Sequence, residues 1–220
     1  MTTPTDFPAL FRRIDSVFER VTGYPSQEMF NPPAPEDAIV RAETLFGVRL
    51  PEDVRQAYLW HDGANFKKWR LTLGLPQLIP PSYRWIPLEE SVNIWTEDRD
   101  FDKKMLEKKS SYWNPPDAVQ ETKDMPVRSR ESDVKWIPVG NADADVFAYV
   151  DLHPSQWGTS GQLFKKYTSA DVHVFIASSF TACLSRVIDA VDDGRYVFDE
   201  DEGGWISART GEYVMSINDF

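Results

Sequence analysis

The sequence is poor in the side chains that most often build reactive sites, with one cysteine and three histidines among 220 residues. The single thiol, Cys183, excludes an internal disulfide, and it lies in an apolar helical pattern that is typical of a buried side chain. Zinc-ligand spacings are absent, as are phosphate-loop, dinucleotide and serine-hydrolase motifs. We therefore predict that the protein is not an enzyme and has no catalytic, cofactor or metal site.

Long apolar runs are also absent. No stretch of the sequence approaches the roughly 20 apolar residues that a membrane-spanning helix needs. Residues 1–13 lack the basic region and the following apolar run of a signal peptide. We therefore expect a cytoplasmic protein.

Basic residues are outnumbered by acidic ones. The chain has 24 Lys and Arg against 35 Asp and Glu, which gives a net charge of −11 at pH 7. Phosphate backbones and anionic lipids repel such a chain, so neither nucleic acid nor a membrane is expected as a direct partner. The same charge attracts a basic macromolecule and speeds its association, although many acidic proteins are merely soluble.

Three helices are predicted in the first part of the chain. Apolar residues at spacings of three, four and seven indicate an amphipathic helix over residues 6–22. Two short helices follow in tandem, opened by Pro35 and Pro51 and ended by Gly47 and Gly63.

After Gly63 the apolar period changes to two, which predicts strands. Further helices are predicted over residues 89–95 and 179–193. The predicted strands cover residues 71–75, 83–88, 135–139, 146–151, 161–167, 172–177, 195–198 and 212–217. Helices followed by a strand-rich half with one helix indicate an α+β fold. We predict a single domain over residues 1–220.

Residues 97–135 interrupt this order. They are dense in charge of both signs, contain an Asn-Pro-Pro turn and show little periodicity. A long hydrophilic segment inside a compact domain is usually an insertion or a lid. We predict a partly helical, charged insertion that offers a second candidate surface for a partner, with Tyr112 and Trp113 as candidate anchors.

Several short segments, taken in order, resemble a known family. A helix ends in Gly, a Leu-Pro pair starts the next helix, and Asp-Gly closes it. A Trp-Ile-Pro-Val-Gly strand and a strand ending in Asp-Leu come later. These segments are Pro35–Ile39, Leu45–Val54, Tyr58–Gly63, Trp136–Gly140, Tyr149–Leu152, Gly161-Gln162 and Ser178–Phe180 with Leu184. Together they resemble the SUKH family over residues 35–191. One departure is Ala144, which replaces a turn residue that tolerates a positive φ.

The resemblance implies a twisted, mostly antiparallel sheet flanked by helices. It also implies a binding role, because many bacterial members are immunity proteins that inactivate a toxin encoded beside them, whereas fungal members regulate cell-wall assembly. We therefore predict an immunity protein, a monomer or weak dimer, whose partner is a cognate toxin with a basic surface. The alternative is a regulatory scaffold of the cell-wall-assembly type. A hydrolase that uses Asp143, Asp145 or Asp151 is a third alternative.

The acidic end of the sequence is the first candidate for the toxin-binding surface. Residues 185–220 hold three Arg against nine Asp and Glu, a net charge of −6, which is more than half of the total of −11. Four adjacent carboxylates over residues 199–202 cannot be buried without partners, so we expect them at the surface. The predicted partner-binding residues are Asp192, Asp193, Asp199, Glu200, Asp201 and Glu202, joined by Tyr112 and Trp113. An ordinary solvated turn is the alternative interpretation of this segment.

Overall fold

The computed structural model describes thirteen helices and strands in a chain of 220 residues. The described residues are 6–65, 84–107, 121–128, 130, 132–143, 145–168, 172–199 and 204–212. The predicted strand at 71–75 lies outside them, as does most of the predicted strand at 212–217. Within the described part of the chain, no helix is both long and apolar enough to cross a membrane.

Helix α1 (Phe7–Thr22) is the predicted amphipathic helix. The carboxylate of Asp6 accepts a hydrogen bond from the backbone N–H of Ala9 at 3.0 Å, which caps the first turn. Gly23 ends the helix in the left-handed conformation that glycine adopts without strain. A one-turn helix, α2 (Ser26–Met29), follows.

Helices α3 (Glu36–Phe46) and α4 (Glu52–Trp60) confirm the predicted tandem pair. Pro35 and Pro51 are their N-cap residues, so each lies just before the first turn, with an extended backbone. Gly63, just after α4, has a positive φ of 71°, and a Cβ at this position would lie 2.5 Å from the backbone nitrogen of Pro87. Only glycine fits at this crossing of two backbone segments.

Helix α5 (Leu88–Glu107) is longer than the predicted helix at 89–95. The carboxylate of Asp62 accepts a hydrogen bond from the backbone N–H of Leu88 at 2.7 Å and so caps its first turn. The helix continues past residue 97, so the first part of the predicted insertion is helical.

Five strands form one antiparallel sheet in which sequence neighbours pair throughout. The strands are β1 (Arg84–Trp85), β2 (Trp136–Asp143), β3 (Val146–Asp151), β4 (Gln162–Tyr167) and β5 (Val172–Ala177). With the helices packed against it, this sheet confirms the predicted α+β fold with an antiparallel sheet.

The chain then forms helix α6 (Phe180–Asp192) and a separate hairpin of β6 (Tyr196–Asp199) and β7 (Gly204–Ser207). The hydroxyl of Ser179 accepts a hydrogen bond from a backbone N–H of the first turn of α6. Strand β7 has no counterpart among the predicted strands. Its four residues are too few to show a period, and it is defined by pairing with β6.

One side of the five-stranded sheet, here called the inner face, lies in the main core. Ile137 is opposite Val150, and Val150 is opposite Leu163, along three neighbouring strands. All three side chains are almost completely buried, in one cluster with residues of α1, α3, α4 and α6. Burying each such side chain contributes about 1.5–3 kcal/mol, so this face holds most of the hydrophobic stabilisation.

The opposite side, here called the outer face, carries a second and smaller cluster made by Trp136, Tyr149, Phe164 and Val127. The ring centroid of Phe164 lies 4.9 Å from that of Trp136 and 5.4 Å from that of Tyr149. Val127 belongs to the second half of the predicted insertion at 97–135. The returning end of that segment therefore covers part of the outer face.

Candidate functional site

A cleft of about 240 Å³ lies between α5 and the outer face of the sheet. Side chains from α5 form one wall, the returning end of the insertion forms another, and the sheet forms the floor. The lining residues are Asp98, Arg99, Phe101, Asp102, Ser132, Asp133, Trp136, Tyr149, Lys166 and Thr168. The cleft therefore combines an aromatic floor with charges of both signs.

Asp98 is the carboxylate that lies against the aromatic floor. Its Oδ2 accepts a hydrogen bond from the hydroxyl of Tyr149 at 3.3 Å. Among the described residues it forms no ion pair within 4.0 Å. Burial raises the pKa of Asp98, and the nearby charges of Arg99 and Lys166 only partly oppose that rise. Burial therefore makes ionisation of this carboxylate costly, and a nearby cation would reduce that cost.

Asp102 and Arg99 satisfy each other on the same wall. The guanidinium of Arg99 lies 3.1 Å from the carboxylate of Asp102, which also accepts a hydrogen bond from the hydroxyl of Ser132 at 2.7 Å. The Arg99 guanidinium further lies 5.7 Å from the ring centroid of Trp95, within cation–π range. The charges of Arg99 and Asp102 are therefore both stabilised by contacts within the protein.

Asp133 is likewise engaged. It accepts hydrogen bonds from the backbone N–H of Lys135 at 2.9 Å and from Arg130 at 2.6 Å, and its Oδ2 lies 2.8 Å from Nδ1 of His153. Burial works in the opposite direction, but these bonds and the charge of Arg130 outweigh it and lower the pKa of Asp133. Asp133 is ionised and neutralised locally.

A buried polar network on the outer face holds residues near Pro126 to the sheet. The fully buried carboxylate of Asp151 accepts hydrogen bonds from the backbone N–H of His153 at 2.9 Å and from Nε2 of Gln162 at 3.0 Å. The same Nε2 donates to the backbone carbonyl of Pro126 at 3.1 Å. Burial raises the pKa of Asp151, and the two donors oppose that rise. The network fixes the returning end of the insertion against β3 and β4.

The predicted acidic surface is described only in part. Asp192 forms ion pairs with Arg13 at 2.7 Å and with Arg20 at 2.6 Å, so its charge links α6 to α1. These two arginines lower the pKa of Asp192. Asp193 is exposed, with its carboxylate 3.4 Å from Arg195.

Asp199 is half-buried at the end of β6. The other predicted partner-binding residues, Glu200, Asp201, Glu202, Tyr112 and Trp113, lie outside the described residues. A role of all eight residues in binding stays a prediction. The geometry of Asp192 gives it a structural contact in addition.

The lining of the cleft was not singled out from the sequence, although most of its polar residues fall within the predicted insertion at 97–135. A signal existed in Asp98 and Arg99, which lie four and three residues before Asp102, so each of them is a neighbour of Asp102 on the surface of a helix. The partners from the sheet could not be assigned to that surface without the fold. In the described part of the chain, no three His, Cys, Asp or Glu side chains come together as a group able to hold a metal ion.

Comparison with known proteins identifies the family of the chain. A search of curated proteins finds no match. The profile of the SMI1 / KNR4 family (SUKH-1) matches residues 33–186, which is well over half of the chain and agrees with the resemblance found over residues 35–191. The matched region contains the tandem helices, α5, the whole five-stranded sheet and the cleft. The chain belongs to the SMI1 / KNR4 family (SUKH-1).

Proposed function

We propose that the protein is an immunity protein, which binds a cognate secreted toxin in the cytoplasm and neutralises it by contact alone. Membership of the SUKH-1 family is the observation that carries this proposal. In this role the chain acts stoichiometrically and performs no catalysis. Its specificity then depends on a surface complementary to one toxin.

The charge of the chain supports a basic partner. A net charge of −11 steers a positively charged protein toward the surface and raises the association rate. Toxins that act on nucleic acids or nucleotides need basic active sites, and an acidic inhibitor can cover such a site. Because exposed charges are screened by salt, this contribution falls as ionic strength rises.

A regulatory scaffold of the cell-wall-assembly type is the alternative within the same family. It is also a binding function, so it predicts a partner but no protection against a toxin. Genetic context separates the two, because an adjacent gene for a large secreted protein favours immunity.

Co-expression tests the proposal. The C-terminal domain of the neighbouring secreted protein is expressed in cells with and without this chain, and growth and complex formation are measured. We expect growth to be rescued and a 1:1 complex to be recovered by size-exclusion chromatography with light scattering. An inactive toxin variant controls for expression burden. Growth arrest in the presence of folded protein, with no complex formed, contradicts the immunity function and favours the scaffold.

A further inference from the structure

We infer that the cleft between α5 and the outer face receives one lysine or arginine side chain of the toxin, with Asp98 as its counter-ion. This inference rests on the immunity function proposed above and names the docking site. It moves the anchor of the interface away from the acidic C-terminal segment. The acidic segment then raises the association rate, and the cleft slows dissociation of the complex.

The size of the cleft suits a side chain better than a small molecule. Its volume of about 240 Å³ is below the range of roughly 300–1,000 Å³ that is usual for small-molecule and cofactor sites. A long side chain inserted from a partner surface needs less room, because its backbone stays outside. A single buried anchor of this kind is how protein interfaces concentrate their affinity.

The charges of the cleft favour a cation. Three carboxylates and two basic side chains line it. Asp102 is paired with Arg99, and Asp133 is paired with Arg130 and His153. The third carboxylate, Asp98, accepts one hydrogen bond from the hydroxyl of Tyr149 at 3.3 Å. The charges of Arg99 and Lys166 attract it, but among the described residues neither forms an ion pair with it within 4.0 Å. An incoming ammonium or guanidinium group supplies the close opposite charge that Asp98 lacks among the described residues.

The rim of the cleft suits the apolar stem of the same side chain. Phe101 lines the cleft and is 55% exposed, so its ring is accessible to a partner. Lys and Arg carry three or four methylene groups that pack on apolar surface while the charged group reaches a polar partner. Phe101 and Asp98 both line the cleft, so they offer these two kinds of contact to one side chain.

The site is also rigid before binding. Asp98 lies inside a 20-residue helix, and the floor residues Trp136 and Tyr149 are each less than 5% exposed. On the opposite wall, the carboxylate of Asp133 is held by the backbone N–H of Lys135 and by Arg130. A preorganised pocket loses little conformational entropy on binding, so more of the contact energy appears as affinity.

A titration followed by NMR tests the cleft without the toxin. The probe is Nα-acetyl-arginine amide, and the citrulline analogue, which has the same shape and no charge, is the control. We expect the arginine probe to shift the resonances of Trp136 and Tyr149 in a saturable manner, and the citrulline probe to leave them in place. Equal shifts with both probes, or no saturable shift with arginine, overturn the inference.

Three variants make the titration specific. Asp98→Asn should abolish the saturable shift, and it should not unfold the protein because it removes a buried charge. Asp100→Asn is the matched control, since Asp100 is exposed on the same helix and lies outside the cleft. Lys166→Met removes a competing cation and should tighten probe binding. Loss of the shift in both aspartate variants, or retention in both, contradicts the role of Asp98.

The toxin complex supplies the second test and separates the two proposals. Asp98→Asn should raise the Kd by roughly 30-fold or more, through faster dissociation, because it removes one partner of a buried charge pair. Asp100→Asn should change it by less than about 2-fold. If the wild-type protein binds and protects but Asp98→Asn does so equally well, the docking site is wrong and the immunity function stands. If the wild-type protein binds no toxin, the immunity function itself fails.

Discussion

The two faces of the five-stranded sheet are built from the same strands, yet they differ in what covers them. The inner face presents Ile137, Val150 and Leu163 to a core shared with four helices. The outer face presents a small aromatic cluster, a buried polar network and a cleft with ionised side chains. The inner face therefore concentrates hydrophobic stabilisation, whereas the outer face carries the polar groups and the proposed docking site.

This separation has a physical reason. A close-packed core tolerates few changes in volume, so its residues are constrained by packing. A cleft edged by a charged segment is free of that constraint, and its side chains can be matched to a partner. An antiparallel sheet permits the division because successive side chains point to opposite faces.

The largest expected effect is on the inner face. Leu163→Ala removes a fully buried side chain and should lower the free energy of unfolding by about 2–5 kcal/mol. Urea denaturation followed by circular dichroism measures the change. Val172→Ala, at a side chain that is 45% exposed on β5, is the control and should cost less than about 1 kcal/mol. Equal losses of stability at both positions would contradict the statement that the inner face holds most of the hydrophobic stabilisation.

Disrupting the polar network of the outer face should have the second-largest effect on stability. Gln162→Ala removes one of the donors to the buried Asp151 carboxylate, which keeps the backbone N–H of His153, and one of the donors to the Pro126 carbonyl, which keeps the backbone N–H of Ser155. The loss should cost about 1–3 kcal/mol. Hydrogen exchange should also quicken over residues 121–128, since the network holds that segment to the sheet. Gln56→Ala, which breaks only an exposed hydrogen bond to Glu52, is the control. Unchanged exchange over 121–128 would mean that other contacts hold the segment.

A pH-dependent effect at Asp98 should be smaller. Burial raises the pKa of Asp98 in the folded state above its value in the unfolded chain. Between these two pKa values the folded state binds more protons at this position than the unfolded state. The contribution of Asp98 to the free energy of unfolding therefore falls as the pH rises from the lower pKa to the higher one. Asp98→Asn should therefore increase the free energy of unfolding at pH 7, and the increase should vanish at acid pH where both forms are neutral. Unfolding curves at several pH values measure it. Asp100→Asn should show no such pH dependence.

The smallest expected effect lies at the ion pairs between α1 and α6. Asp192→Asn breaks contacts with Arg13 and Arg20, whose side chains are 43% and 58% exposed. Exposed pairs of this kind contribute about 0–1 kcal/mol. The loss should shrink in high salt, which thermal unfolding at two ionic strengths can show. A large and salt-independent loss would place Asp192 among the structural residues of the core side.

Most of the fold could be predicted from the sequence. The helix at 6–22, the tandem pair opened by Pro35 and Pro51, and the main strands after residue 135 follow from local periodicity and from capping residues. Two elements were harder. Helix α5 runs past its predicted end into charged sequence without an apolar period, and β7 is recognisable only through its pairing with β6.

Some features of the candidate site could likewise be predicted from the sequence, and others could not. The sequence by itself determined the family, the excess of negative charge and the location of a charged insertion, because each is a property of residue order and composition. Only the tertiary structure placed Asp98 against Tyr149 and joined Asp192 to Arg13. The partners in these contacts are 51 and 179 residues apart along the chain. Periodicity extends over a few turns or strand residues, so the chain must fold before a carboxylate is assigned to a cleft or to an ion pair.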